Sequence, residues 1–241
     1  MKKIILLAAA SALVTPALAA PAVPAAPDVA RLKASVERLV SFGTRHTLSS
    51  ATDPKRGIGA ARAWGKAEFE TIGKGCGGCL SVETVADRFT GPRAPDGVEV
   101  VDVLAIQKGT GDPNEVVIVA GHIDSRVTDV MNITSDAPGA NDNASGTALV
   151  IEAARVLAGQ KFNGTIVYAL LSGEEQGLWG GKLLAATAKA RGWHVRAMLN
   201  NDIVGNTVGQ NGKVVADRVR VFSEGIRAGD DAKANLTRRA I

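Results

Sequence analysis

The spacing of apolar positions changes along this chain, and the changes mark out its elements. Between 28 and 40, Val29, Leu32, Val36, Leu39 and Val40 fall on one helical face, with Asp28 after Pro27 as the cap. Residues 41–54 read as a loop holding His46. A second helix is predicted over 60–72, with Trp64, Phe69 and Ile72 on one side and the glycines of 73–78 ending it. Residues 82–86 and 98–107 read as strands joined by a turn-rich 91–97, and another turn follows at 109–113. From Glu115 the pattern changes. Val116, Val117, Ile118, Val119 and Ala120 form an unbroken apolar run, which a strand needs when both its faces are covered. A long loop, a helix over 144–157, a second unbroken run at 165–171, a helix over 180–189 and a strand at 195–199 follow. That is a βαβαβ order, so the centre of the sheet is predicted parallel with helices on both faces. A further strand is expected at 218–222, and beyond Ser223 the chain is polar.

Composition narrows the setting. With 241 residues, 46% hydrophobic and 22% charged, the chain has enough apolar material for one sizeable core. Met1 begins a basic start (Lys2, Lys3), an apolar run over 4–14 and a small-residue exit at Ala17-Leu18-Ala19. Residues 1–20 therefore read as a secretory signal peptide, and 21–27 as a Pro/Ala linker before a single domain over 28–241. The apolar run is too short to span a bilayer, and no Cys follows it to carry a lipid. The mature chain is expected in the periplasm or outside the cell, with no membrane attachment. The formal charge of +4 includes Lys2 and Lys3; without them the excess is too small to argue for nucleic acid, and no basic face carries interleaved aromatics. The two cysteines, Cys76 and Cys79, form C-x-x-C across two glycines. A redox motif needs a strand before it and a helix after it, and a zinc ribbon needs a second pair. In an exported chain the expectation is a local structural disulfide.

The candidate chemistry lies in four loops. His122 and Asp124 follow the run ending at Ala120. Asp142 stands in PGANDNASG at the start of a helix. Glu174 and Glu175 follow the run ending at Leu171, and Asp202 follows the strand containing Leu199. Taken alone, Asp142 is ordinarily a helix cap, and an acidic pair is ordinarily solvated. Together they fall outside the carboxyl ends of parallel strands, where α/β sheets bind ligands. Imidazole and carboxylates suit zinc, and a carboxylate can bridge two ions. On this reading His122 ligates through one ring nitrogen while Asp124 takes the other and fixes the tautomer. Adjacent glutamates cannot both ligate one ion well, so one of Glu174 and Glu175 ligates and the other accepts a proton. Zinc lowers the pKa of a bound water to about 7, and a second metal would steady the carbonyl under attack. The reaction class is amide hydrolysis.

AGHIDS, PGANDNASG, LLSGEEQGL and NNDIVGN, in this order and spacing, closely resemble the co-catalytic dizinc exopeptidases. That family includes leucyl-type aminopeptidases, aminopeptidase Y and glutamate carboxypeptidase. SFGTRHT is similar to its opening segment, so the likeness runs from about Ser41 to Phe222. The resemblance implies a three-layer α/β/α sandwich around a mixed, centrally parallel sheet. It implies that His122, Asp142 and Glu175 hold one zinc, that Asp142 bridges to a second zinc held by Asp202, and that Glu174 is the general base. Asp124 becomes the partner of His122, and the Asp142–Asn143 peptide is expected to be cis. Peptides are the implied substrates. Activity as an aminopeptidase is the leading expectation; a carboxypeptidase, a glutaminyl cyclase and a binding module that has lost its metals are the alternatives.

One departure matters. The family's second zinc also takes a His downstream of the Asp202 position. His194 precedes Asp202 and, at ~3.3 Å per residue, lies about 20 Å or more away at the other edge of the sheet. His46 is read as structural or rim-lining, and Tyr168 is inside a strand. The chain is therefore expected to be C-terminally truncated, to bind one metal well and a second poorly, and to show little activity.

Overall fold

A computed structural model describes residues 25–209 and 211–222. The signal peptide expected at 1–20, most of the linker and the tail after 222 lie outside them.

Helix α1, Val29–Val40, is capped by Asp28, whose carboxylate accepts from the backbone N–H groups of Ala30 and Arg31. Helix α2 spans Gly57–Gly75, longer at both ends than the 60–72 expected. Gly73 lies inside it, where its bare Cα faces Leu80, which a β-carbon would meet at 3.3 Å. The helix ends at Cys76, and Cys76 and Cys79 are disulfide-bonded, as the sequence led one to expect. Strands β1, Ser81–Gly91, and β2, Ala94–Gln107, form one long hairpin closed by Pro92 and Arg93. The stretch expected as a turn, 91–97, thus belongs mostly to β2, because Ala94 pairs with Gly91 and Val98 with Phe89 on either side of a register irregularity.

β3, Glu115–His122, leads through a long loop and an irregular turn at Ala140–Ser145 into α3, Gly146–Leu157. β4 is Thr165–Leu171, a short α4 is Glu174–Gly177, α5 is Trp179–Ala190 and β5 is His194–Asn200. The sheet order is β1-β2-β4-β3-β5. β1, β2 and β4 pair antiparallel, while β4, β3 and β5 run parallel. The strand expected at 218–222 does not form. Val219, Val221 and Phe222 stand about four-fifths exposed, and a strand without a ladder partner leaves its backbone groups to water.

The two faces of the sheet make two cores. Val103, Ala105, Val119, Tyr168 and Leu170 point toward α1, α2 and α3, where they meet Leu39, Ile58, Phe69, Val150 and Ile151. Leu104, Ile118, Ala120, Val167 and Ala169 point the other way, toward Leu184 of α5. Every residue of β4 is buried, the reason its sequence is apolar without alternation. Each such side chain removed from water is worth about 1.5–3 kcal/mol. The result is an α/β/α sandwich on a mixed sheet. Among the described residues no helix is long and apolar enough to cross a membrane.

Candidate metal centre

The parallel trio delivers its loops to one edge. His122 is in register with Leu171, and Ala120 with Asn200, so β3, β4 and β5 end level with one another. Two close approaches draw in the start of α3. Gly121 lies against the backbone of Gly146, which a β-carbon would meet at 2.9 Å, and a β-carbon on Gly146 would fall 2.1 Å from the Asn201 carbonyl. Only glycines permit this seam. Asn143 then fastens it: its Nδ2 donates to Asn201 O at 2.8 Å, and its Oδ1 accepts from Gly146 N at 2.9 Å. The Asp142–Asn143 peptide is cis. Asp142 at the start of this seam and Asp202 just past β5 are thereby brought to the end of β3.

The buried imidazole of His122 is the meeting point. Its Nε2 is 3.1 Å from Asp142 Oδ1 and 3.6 Å from Asp202 Oδ1. Its Nδ1 lies 3.1 Å from the Asp124 carbonyl oxygen and 3.4 Å from Asp124 Oδ1. Burial disfavours charge on the ring, yet the carboxylates of Asp124, Asp142 and Asp202 outweigh it and push its pKa up to about 12. The cluster is built for positive charge at its centre. His122, Asp142 and Asp202 each offer a ligand atom, all within 4.8 Å of one another, and a soft nitrogen with two carboxylate oxygens is a donor set that suits zinc.

Asp124 is fully buried and joins this group to the next loop. Its Oδ2 accepts from Thr47 Oγ1 at 2.9 Å and from Glu175 N at 3.1 Å, and Oδ1 accepts from Glu174 N at 3.3 Å. Burial raises its pKa, but His122, Thr47 and the Glu175 N–H hold it below the usual carboxylate range. Glu174 and Glu175 form the first turn of α4, after Gly173 in a left-handed conformation (φ 72°). Burial pushes the Glu174 carboxyl up, against the pull of His122 and helped by Asp124, Glu175 and Asp202.

Glu175 differs from the reading in the sequence. It is not drawn into the His122 group; its Oε2 takes the Nε–H of Arg126 at 2.6 Å. Of the four expected ligands the structure therefore gathers three, because a guanidinium four residues beyond His122 neutralises the fourth. His46 is buried in the fold, with Nδ1 accepting from Leu48 N and Nε2 3.0 Å from the Val130 carbonyl. His194 opens β5 at the other edge, 3.2 Å from Glu115 Oε1.

Arg45 was passed over in the sequence. It is the largest fully buried side chain, and its guanidinium donates to the carbonyls of Ile123 (2.8 Å), Leu39 (3.1 Å), Pro138 (2.8 Å) and Gly139 (3.0 Å). One cation thus ties the end of α1 to the residue after His122 and to the turn before Asp142. Burial lowers its pKa to about 10, against the pull of Asp124 and Asp142. The signal was an arginine in SFGTRHT, a stretch with no acid beside it to explain the charge.

An α/β/α sandwich with histidine and carboxylates gathered at the carboxyl ends of its parallel strands defines a class of metal-centred α/β proteins. Comparison with known proteins narrows the class: residues 102–230 match the model of peptidase family M28, and the chain belongs to that family. A probable zinc metalloprotease of Pyricularia oryzae is 45% identical over 219 residues, which is 88% of this chain and 43% of that protein. The chain thus spans under half the length of this relative. A leucine aminopeptidase precursor from Bacteroides thetaiotaomicron superposes with a TM-score of 0.62 at 19% identity, covering 78% of this chain and 67% of that one. A glutaminyl cyclase from Fimbriiglobus ruber gives a TM-score of 0.58 at 23% identity, covering 76% and 65%. At these identities both structures show a shared fold.

Proposed function

We propose that this chain carries the metal centre of an exported zinc-dependent exopeptidase that acts as an aminopeptidase. The convergence of His122 Nε2, Asp142 Oδ1 and Asp202 Oδ1 at the strand ends carries the reading. Family membership and the zinc metalloprotease name of the Pyricularia oryzae relative support it. His122, Asp142 and Asp202 would hold zinc, with Glu175 as the fourth donor once it turns from Arg126. In the fuller form of the proposal two ions would be held there, with Asp142 among the donors to both. Zinc held there would supply Lewis-acid polarisation of the scissile carbonyl and a more acidic water.

The chain's own groups do the rest. Asp124 holds the Nδ1 side of the His122 ring and so presents Nε2 to the centre. The same carboxylate accepts from Glu174 N and fixes the turn that carries that side chain. Glu174 takes a proton on its carboxylate and returns it to the leaving amine; a pKa raised by burial brings it nearer the working pH of such a base. A glutaminyl cyclase is the second reading, since the fold superposes on that enzyme nearly as well as on the aminopeptidase. Export rests on the basic, apolar and small-residue order of residues 1–20.

Glu174→Gln tests enzyme against binder. The variant should still bind zinc while hydrolysis of an aminoacyl amide falls by about 10²–10⁴-fold. Hydrolysis at the natural rate would remove Glu174 from the reaction.

A further inference from the structure

Two arginines from different loops meet on Glu175. Arg126 follows β3 and donates Nε–H to Glu175 Oε2 at 2.6 Å and Nη1–H to the Val127 carbonyl at 3.2 Å. Arg93 forms the β1–β2 turn and donates from Nη1 to the Glu175 backbone carbonyl at 2.5 Å. One carboxylate needs one cation to balance it. Glu175 has two guanidinium groups against it, and the second rests on a carbonyl that bears no formal charge. A guanidinium carries five N–H donors in a planar fork. Arg126 uses two of its nitrogens and Arg93 one, among the described residues. The Arg126 side chain is 32% exposed and Arg93 is exposed, so the remaining donors open to solvent beside the metal centre. Elsewhere the site is ringed by Asp142, Asp202 and Glu174, which repel an acid.

We infer that Arg126 and Arg93 form a rim that reads a substrate carboxylate, so that the site selects peptides with a carboxylate on the residue adjoining the scissile amide. The carboxylate is either the free C-terminus of a short peptide or an acidic side chain. This rests on the peptidase reading of the His122 centre. A guanidinium fork matches a carboxylate with two parallel hydrogen bonds, which a lysine ammonium does not reproduce.

The test is binding, measured by calorimetry on the zinc-equilibrated chain. Leu-Leu is compared with its C-terminal amide, and Leu-Glu amide with Leu-Gln amide, so that the two pairs separate a terminal carboxylate from a side-chain one. In at least one pair the acid should bind about tenfold or more tightly, the worth of a charge-assisted hydrogen bond. Arg126→Gln combined with Arg93→Gln should reduce that preference to about twofold or less, and Arg126→Lys should keep part of it, with thermal melting confirming that each variant is folded. Equal binding within both pairs, or a preference that survives the double substitution, overturns the rim. Failure of the peptidase reading shows differently: zinc affinity would then be unchanged in His122→Ala while the carboxylate preference persisted.

Discussion

Arg45 sets the shape of the centre without touching its reacting edge. Its guanidinium donates to four carbonyls drawn from α1, the end of β3 and the turn before Asp142; those of Leu39 and Gly139 also accept from Phe42 N and Ala144 N, while among the described residues those of Ile123 and Pro138 have no other donor. Arg45→Met would orphan the Ile123 and Pro138 carbonyls, and each orphaned group costs about 1–3 kcal/mol. The variant should lose about 3 kcal/mol or more of stability in urea unfolding, and Arg45→Lys should fall between, since an ammonium cannot reach all four. A second residue tests burial of charge. Asp102 accepts from Ser172 N at 2.9 Å through Oδ1, while its buried Oδ2 has no hydrogen-bond partner among the described residues. Burial first, and Asp124 after it, raise its pKa well above the carboxylate range, against Ser172 N–H and Arg62. The folded chain therefore keeps a proton that the unfolded chain releases. This contribution is fully present below the unfolded carboxylate pKa and is lost as pH rises toward the folded value. Between about pH 5 and pH 8 the unfolding midpoint of the natural chain should fall more than that of Asp102→Asn. Parallel curves would show that Asp102 is charged in the fold. Neither residue announced its role in the sequence, because burial depends on contacts with residues far along the chain.

At the scale of elements, the strands were legible and some of their limits were not. β3 and β4 read as unbroken apolar runs because both faces are covered, and β4 has the bounds expected of it. Helix α1 was visible from one-sided apolar spacing, and α5 falls where a helix was expected over 180–189. The hairpin of β1 and β2 runs further than its composition suggested, since the Gly91–Ala94 pair, beyond an irregularity in the register, carries 95–97 into the strand. Residues 218–222 failed for the converse reason: strand-forming side chains do not make a strand without a ladder. The same limit explains Glu175. Its place after β4 was readable, but its partner Arg126 lies 49 positions away, on a different loop. The C-x-x-C staple was readable because its spacing is local. It ties the end of α2 to the start of β1, away from the metal centre. Closing so short a loop is worth about 2 kcal/mol. Replacing both Cys76 and Cys79 by serine should therefore lower the melting temperature by about 4–8 °C and leave zinc affinity as it was. A loss of zinc binding would mean that the staple shapes the site.

Over the whole molecule, parallel topology is what makes a site from scattered residues. His122, Asp142 and Asp202 span eighty positions, yet three level strand ends and one glycine seam bring their donor atoms within 4.8 Å. That convergence could be anticipated from the strand pattern and the known habit of α/β sheets. The pairing of Glu175 with Arg126 could not, since it joins two loops far apart in sequence. At the other edge of the sheet β5 leaves Val195, Met198 and Leu199 about half exposed, so the parallel strands are covered less fully there than at β4. The account as a whole requires that the imidazole and its two carboxylates act as one binding unit. Calorimetric titration of zinc into the natural chain and into His122→Ala tests this most directly. Tight binding by the natural chain, weakened about a hundredfold or more in the variant, is the predicted result. Equal affinity in the two would contradict it.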